Sequence, residues 1–291
     1  MCEAFRTAIY RVLSSDGDRV VATGFSMGVF AGTCAHVIRD AFAGTMPAPG
    51  AAVRLSSTTP GDDVVVAELV LCGDPDVPAD DIAILKLADP VPHPGGVTVL
   101  DETNLGHPFS TIGFPPEYSE QGNAAVGSVG RVNAAGLVEL LGRHDGFDIR
   151  GGFSGAPVCD EIACAVIGMV TGNDDQAASR RVGFMLPMST IIGRISRSAH
   201  GIRIRPFDET YYRCLAACAQ GESRALAEIF LVRKLAEFAY DGVTRHWIYQ
   251  CLGLVGNRLA RSVLQSALTW ETGYARSGAV QAAELLASCE A

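Results

Sequence analysis

Long apolar runs are missing from this chain. No stretch of about 18 or more apolar residues is free of charge, so no segment is suited to crossing a bilayer. The opening segment, MCEAFRTAIYRVLSSDGDRV, lacks the basic, apolar and small-residue order of a secretion signal, which predicts a cytoplasmic protein. Cys-x-x-Cys pairs and Cys–His clusters at zinc spacing are absent as well. The nine cysteines, an odd count, are therefore expected as free thiols. Cys159 and Cys164 flank an expected turn, and Cys214 and Cys218 share an expected helix. Positive charge is short: 23 Lys and Arg stand against 32 Asp and Glu, a net charge of −9. That excludes nucleic acid as the main partner, because phosphate binding needs a basic face. Of the basic residues only Lys86 and Lys234 are lysine, which reads as coding bias.

What is present is ample apolar material. Hydrophobic residues make up 48% and charged residues 19%, enough for a sizeable core and too apolar for global disorder. The 291 residues allow one large domain or two smaller ones. Residues 1–200 carry 13 basic and 23 acidic groups, whereas 201–291 carry 10 and 9. This charge step is a first sign of two parts.

The two parts also differ in pattern. Val20–Phe25, Val53–Ser56, Val64–Val70, Ile82–Leu87, Phe109–Gly113, Val126–Val132, Leu137–Leu141, Ala163–Val170 and Val182–Leu186 read as strands separated by Gly, Pro, Asp and Asn. Many short strands with frequent turns predict a sandwich or barrel. AGTMPAPG (43–50) and DPVPHPGG (89–96) read as loops, and the second divides the region into halves. From Asp208 onward proline is absent and apolar residues recur at three and four. A helix is predicted to open after Gly221-Glu222-Ser223, with others at 210–219, 244–253, 256–270 and 277–289. No internal repeat or low-complexity tract is visible.

Three segments carry chemistry, in order: Gly-Thr-Cys-Ala-His-Val (32–37), Asp-Asp-Ile-Ala-Ile-Leu-Lys-Leu (80–87) and Gly-Gly-Phe-Ser-Gly-Ala-Pro-Val (151–158). A serine hydroxyl needs a base to take its proton as it attacks, and neutral imidazole suits that task. A buried carboxylate fixes the imidazole tautomer and stabilises the imidazolium. Glycines around the serine let backbone N–H groups point at a developing oxyanion, and Gly152 and Ser154 are placed to supply them.

These blocks resemble the three signature blocks of chymotrypsin-fold, trypsin-like serine proteases, in that family's order of His, Asp and Ser. VGFMLP (182–187) resembles the substrate-side strand of its bacterial members, and IGFP (112–115) the opening of the second barrel. The resemblance covers residues 5–200. It implies two six-stranded antiparallel barrels, at about 1–95 and 105–200, with the site between them, followed by a small all-α domain. His36 would be the general base, Asp81 its orienting carboxylate and Ser154 the nucleophile. Asp80 competes with Asp81, which is preferred because it directly precedes the alternating strand. No metal or cofactor is implied. The other histidines, 93, 107, 144, 200 and 246, read as loop or surface residues.

Digestive members carry Asp just before the nucleophile, where a new N-terminal amine pairs with it. This chain has Phe153 there, so activation by that ion pair is excluded and the sequence is more similar to bacterial intracellular and periplasmic members. Asp148 lies six residues before Ser154, the offset at which trypsin selects Arg or Lys. However, Phe147-Asp148-Ile149 also reads as a strand with Asp148 facing outward, and both readings stay open. Thr171 and Gly172 are expected to line the pocket and pair with substrate backbone; Asp174 and Asp175 read as a solvated loop in preference to acidity at the pocket rim.

The layout, a protease domain (1–203) and then helices (206–291) with no catalytic motif, looks like proteases of bacterial conflict or signalling systems. There a helical adaptor recruits the protease to a regulatory protein partner. Tyr211, Tyr212, Trp247, Tyr249, Trp270 and Tyr274 are candidates for core filling or for a contact surface. The leading expectation is a cytosolic serine endopeptidase acting on protein substrates. The rival is a protease frame that binds peptides without cutting them.

Overall fold

A computed structural model describes residues 3–58, 64–87, 99–143, 146–173, 181–197, 207, 209–218 and 222–288. The chain divides into two compact units, residues 3–160 with 166–204, and residues 161–165 with 205–291. His93, His144, His200, Asp174, Asp175 and the 89–96 loop lie outside the described residues.

The first unit is two closed six-stranded antiparallel barrels. A short helix α1 (Glu3–Thr7) leads into β1 (Ile9–Leu13), β2 (Val20–Met27) and β3 (Phe30–Thr33). Helix α2 (Ala35–Ala41) follows, then β4 (Ala52–Ser57), β5 (Val64–Cys72) and β6 (Ala83–Leu87). The second barrel holds β7 (Pro108–Gly113), β8 (Asn123–Val132), β9 (Val138–Gly142), β10 (Pro157–Asp160), β11 (Ala165–Asn173) and β12 (Val182–Pro187). The order is β1-β2-β3-β6-β5-β4 in one barrel and β7-β8-β9-β12-β11-β10 in the other, the same connectivity twice. The sequence shows no repeat because a barrel needs only apolar inward positions and turns, which many residue choices satisfy.

Burial follows strand alternation where one face meets solvent. In β4, Val53 and Leu55 point inward while Ala52 and Arg54 point out. Strand β1 is buried on nearly every residue, so its apolar run IYRVL shows no alternation. The register of β11 against β12 shifts between Val170 and Gly172, which leaves Thr171 as an extra residue in the ladder. Such a bulge re-aims the local backbone. Helix α3 (Met188–Arg197) closes the unit and buries Met188, Ile191 and Ile195.

The second unit contains α4 (Glu209–Cys218), α5 (Glu222–Glu237), α6 (Gly242–Val255), α7 (Arg258–Trp270) and α8 (Gly273–Ser288). Helix α6 is its centre. Asp241 caps it, accepting from the amides of Val243 at 3.0 Å and Thr244 at 3.1 Å. Residues Thr244 to Val255 are buried with few exceptions, as expected of a helix wrapped on all sides. Helix α8 approaches closely because Gly253 and Gly278 lack side chains: a Cβ on Gly278 would lie 2.6 Å from the His246 carbonyl oxygen. The Glu228 carboxylate caps α7 from a distance, accepting from the amides of Asn257 at 2.8 Å and Ala260 at 2.7 Å.

Of the histidines expected as loop or surface residues, His107 does lie in a loop, just before β7, whereas His246 does not. His107 is half-buried and its Nδ1 lies 2.7 Å from the fully buried Asp160 carboxylate. His246 is buried on α6 and stacks on the Tyr274 ring at 4.0 Å. A polar ring is tolerated inside when its nitrogen finds a partner, and both do. Of the aromatic candidates, Tyr211 and Tyr249 fill the core, whereas Trp270 and Tyr274 are exposed.

A buried ionic group organises this helical unit. Arg245 Nε donates to Glu271 Oε1 at 2.7 Å, and Nη1 donates to the Leu235 carbonyl at 2.7 Å. The Tyr249 hydroxyl donates to the same carboxylate oxygen at 2.6 Å. Burial, then that hydrogen bond, holds the Tyr249 hydroxyl well above the usual phenol range. Breaking such a pair strands one buried charge, which costs about 3–5 kcal/mol. Glu271→Ala is therefore expected to lower stability by about 3–5 kcal/mol. Denaturant unfolding of the full chain, followed by tryptophan fluorescence, reads this directly because Trp270 lies over the Arg245 guanidinium.

Candidate active site

His36 is the second residue of α2, whose first turn starts directly after β3. Asp81 follows a 3-10 turn, Pro78–Asp80, and precedes β6. Register pairs Thr33 with Ala83, which brings the start of α2 beside the start of β6. Asp81 then uses both oxygens on one residue: Oδ1 accepts the His36 amide at 2.9 Å and Oδ2 meets His36 Nδ1 at 2.7 Å. The carboxylate is 7% exposed and the imidazole 24%, so the pair is shielded while the ring keeps one open edge. With Nδ1–H assigned as donor to Asp81, Nε2 is the basic nitrogen. Among the described residues Nε2 has no hydrogen-bond partner.

Asp80 is turned elsewhere. Its carboxylate pairs with Arg194 of α3 at 2.8 Å and accepts the Asp74 amide at 3.1 Å. Asp81 is thus the carboxylate at His36.

The serine lies in the second of two consecutive tight turns that share Phe153. The Phe153 amide donates to the Arg150 carbonyl at 3.0 Å, and the Ala156 amide to the Phe153 carbonyl at 2.8 Å. Gly152 has φ +94° and Gly155 φ +82°, so each turn carries glycine at its third position, as type II geometry demands. Ser154 is the second residue of the latter turn. Its Oγ donates weakly to the Thr171 carbonyl at 3.5 Å, which the β11 bulge presents. Among the described residues the amides of Gly152 and Ser154 have no protein acceptor.

The barrels meet at this turn. Thr23 of β2 donates its amide to the Ser154 carbonyl at 3.1 Å and its hydroxyl to the Gly152 carbonyl at 2.8 Å. Phe114 donates its amide to that same Gly152 carbonyl at 3.0 Å. The Val170 carbonyl accepts from Gly155, next to the serine, at 2.8 Å, and from the Cys34 thiol, near the histidine, at 3.2 Å. One oxygen thereby ties the two halves of the site together.

The expected pocket residues have different surroundings. Thr171 and Gly172 are half-buried on β11 beside the serine turn. Asp148 is not on a strand; its carboxylate is 48% exposed and pairs with Arg181 Nε at 3.2 Å. The neighbouring Ile149 is the buried residue, and its side chain fills the space over Gly183 of β12, where a Cβ would lie 2.7 Å from its Cδ1.

Sequence reasoning did not single out Cys34 and Cys72. Both flank Asp81, and both are free thiols. Burial, then the Asp81 charge, raises the Cys34 thiol well above its usual range, and the same causes push Cys72 up to about 11. Cys34, His36 and Asp81 also form a donor cluster with ligand atoms within 4.8 Å of one another. Those atoms are already partnered, the thiol with Val170 and the imidazole with the carboxylate. A thiol whose folded value is raised contributes stability below its unfolded value near 9, which is lost as pH climbs toward about 11. Cys72→Ala is expected to flatten the fall in stability between pH 9 and 11, read by urea unfolding across that range.

Residues 15–169, just over half of the chain, match the family model for the trypsin-like peptidase domain. No curated protein sequence matches. Among solved structures, an inactive form of the Rv3671c protease of M. tuberculosis is similar at TM-score 0.50 and 19% identity, covering 69% of this chain and 91% of that one. The active form of the same protease gives TM-score 0.50 and 20% identity, covering 70% and 86%. A serine endoprotease of Yersinia pestis gives TM-score 0.50 and 18% identity, covering 66% and 62%. At these identities the structures share the fold. With the double barrel and the matched domain together, this chain belongs to the trypsin-like peptidase family and is a hydrolase of the serine endopeptidase class.

Proposed function

We propose that the chain cleaves protein substrates through a His36–Asp81–Ser154 triad and an acyl-enzyme. The observation that carries this reading is the double hold of Asp81 on His36, which leaves Nε2 as the free base on the edge open to solvent. Ser154 Oγ attacks the scissile carbonyl carbon while His36 Nε2 takes its proton. Asp81 stabilises the imidazolium so formed and stays ionised. The amides of Gly152 and Ser154 receive the oxyanion. His36 then returns the proton to the leaving amine, and water attacks the acyl-enzyme by the same route in reverse. Thr171 and Gly172 offer backbone to the substrate chain.

The resting geometry also favours a second reading. Ser154 Oγ donates to Thr171 and not to His36, as would suit a frame that binds peptides without cutting. Catalytic hydrogen bonds are often long before substrate binds, which keeps cleavage the leading reading.

For residues 206–291 the proposal is a docking domain through which a regulatory protein partner recruits or controls the protease in the cytoplasm, in a bacterial defence or signalling system. Exposed Trp270 and Tyr274 support a contact role, since aromatic residues are favoured at interfaces. No helix among the described residues is long and apolar enough to cross a membrane.

Ser154→Ala is expected to lower cleavage by about 10³–10⁶-fold and to remove fluorophosphonate labelling of the full chain. Labelling that persists in the variant would refute the triad, and peptide binding without any turnover in the parent chain would favour the second reading. Asp148 bears on specificity. Its pairing with Arg181 means that a substrate Arg or Lys must compete with a cation of the chain itself. Arg181→Gln is expected to raise kcat/KM for cleavage after Arg relative to cleavage after Leu by about 5- to 10-fold, the factor that about 1 kcal/mol supplies. Adding Asp148→Asn should cancel the gain. An unchanged ratio would remove Asp148 from the substrate pocket.

A further inference from the structure

The turn that presents the Gly152 amide has glycine at both central positions, 151 and 152. Type I and type II turns differ by a flip of the peptide between those positions, and Gly-Gly accepts either. The turn is type II here, with φ +94° at Gly152. The local sequence does not fix that choice, so its flanks must be held from outside.

Both flanks converge on one side chain. The Arg150 guanidinium lies over the Phe147 ring, 4.5 Å from its centroid. Phe153 stacks on the same ring at 5.9 Å and 27°. Tyr118 meets it edge-on at 5.6 Å and 90°. Phe153 itself is fully buried and occupies the space that a side chain on Gly113 would need, since a Cβ there would lie 2.4 Å from its ring. Tyr118 ends a 3-10 turn, Pro116–Tyr118, that starts two residues beyond Phe114, whose amide holds the Gly152 carbonyl. Glu117 of the same turn pairs with Arg150 at 3.1 Å. The ring of Phe147 thus touches the first and last residues of the turn and the segment that braces its middle.

We propose that Phe147 is a positioning residue for catalysis: with Arg150 and Tyr118 it latches the Arg150–Phe153 turn in the form that aims the Gly152 amide at the oxyanion. This rests on the reading of Gly152 as an oxyanion donor. The ring contacts carry the latch. The Arg150–Glu117 ion pair contributes least, because its side chains are 42% and 60% exposed and solvent screens them. No step of the chemistry passes through Phe147; it acts through the orientation of one peptide group.

The test uses the full chain and two readouts: fluorophosphonate labelling rate, and inhibition of cleavage by a peptide aldehyde whose hemiacetal oxygen occupies the oxyanion position. Phe147→Leu is expected to lower kcat and aldehyde affinity in parallel, by about 10- to 100-fold, as misplacement of one oxyanion donor does. KM and peptide binding in a Ser154→Ala background are expected to stay unchanged. Phe147→Tyr, which keeps the ring, is expected to retain both activities, and Glu117→Gln to change them by less than about twofold. Arg150→Met, at a half-exposed position, supplies a variant that leaves the core intact and is expected to lose kcat several-fold. Wild-type kcat in both Phe147→Leu and Arg150→Met would overturn the latch. So would a loss in KM alone, or a loss that Phe147→Tyr does not restore. These failures are distinct from failure of the triad, which would show as turnover or labelling that survives Ser154→Ala.

Discussion

Thr23 is the residue by which the first barrel takes hold of the second. Its amide, hydroxyl and carbonyl are all committed, to Ser154, Gly152 and the Thr33 hydroxyl respectively. The carbonyl stands so close to the serine turn that a Cβ on Gly155 would lie 2.0 Å from its oxygen. This contact leaves no room for a side chain, and the turn requires a positive φ at the same place, so only glycine meets both demands. The position of Ser154, the shared Val170 carbonyl and the approach of α2 to the serine turn all depend on that one close passage.

Buried polarity is handled differently in the two units. In the protease unit the Asp81 carboxylate is satisfied by the amide and the imidazole of one residue, His36, so the pair forms as soon as α2 and β6 align. In the helical unit Arg245, Tyr249 and Glu271 satisfy one another across α6 and the end of α7. Where a digestive protease would carry an acid beside the nucleophile, this chain has a fully buried Phe153. Burial of a phenylalanine is worth about 1.5–3 kcal/mol and needs no partner charge. The serine turn is therefore anchored by packing that is complete once the barrel closes.

The chemistry-bearing segments were legible because few residue types can do the work and because their order was preserved. The preference for Asp81 over Asp80 rested on strand position, and Arg194 gives the physical reason: the first acid already has a cation. The barrels were legible as many β-rich runs, yet three strands left little trace. Strand β1 is buried throughout and does not alternate. Strand β3, Phe-Ala-Gly-Thr, and β10, Pro-Val-Cys-Asp, are only four residues long and each holds two residues with weak strand preference, which pairing with neighbours overrides. The partners of half-buried His107 and buried His246 were not legible, because they lie 53 and 28 residues away. The surroundings of Phe147 were hidden for the same reason, since Tyr118 comes from another part of the barrel.

The repeated strand order has a consequence for how the chain is made. Residues 9–87 complete one barrel and carry His36 and Asp81, while Ser154, the proposed nucleophile, belongs to the other. A chain leaving the ribosome folds from its amino end, domain by domain. The first half can finish with its imidazole and carboxylate assembled and still be inert toward peptide bonds. With the proposed triad, reactivity arises only when Thr23 finds the serine turn, after the whole second barrel has emerged. A nascent endopeptidase built this way spares its own unfolded tail and the polypeptides crowded around it until synthesis of both barrels is over.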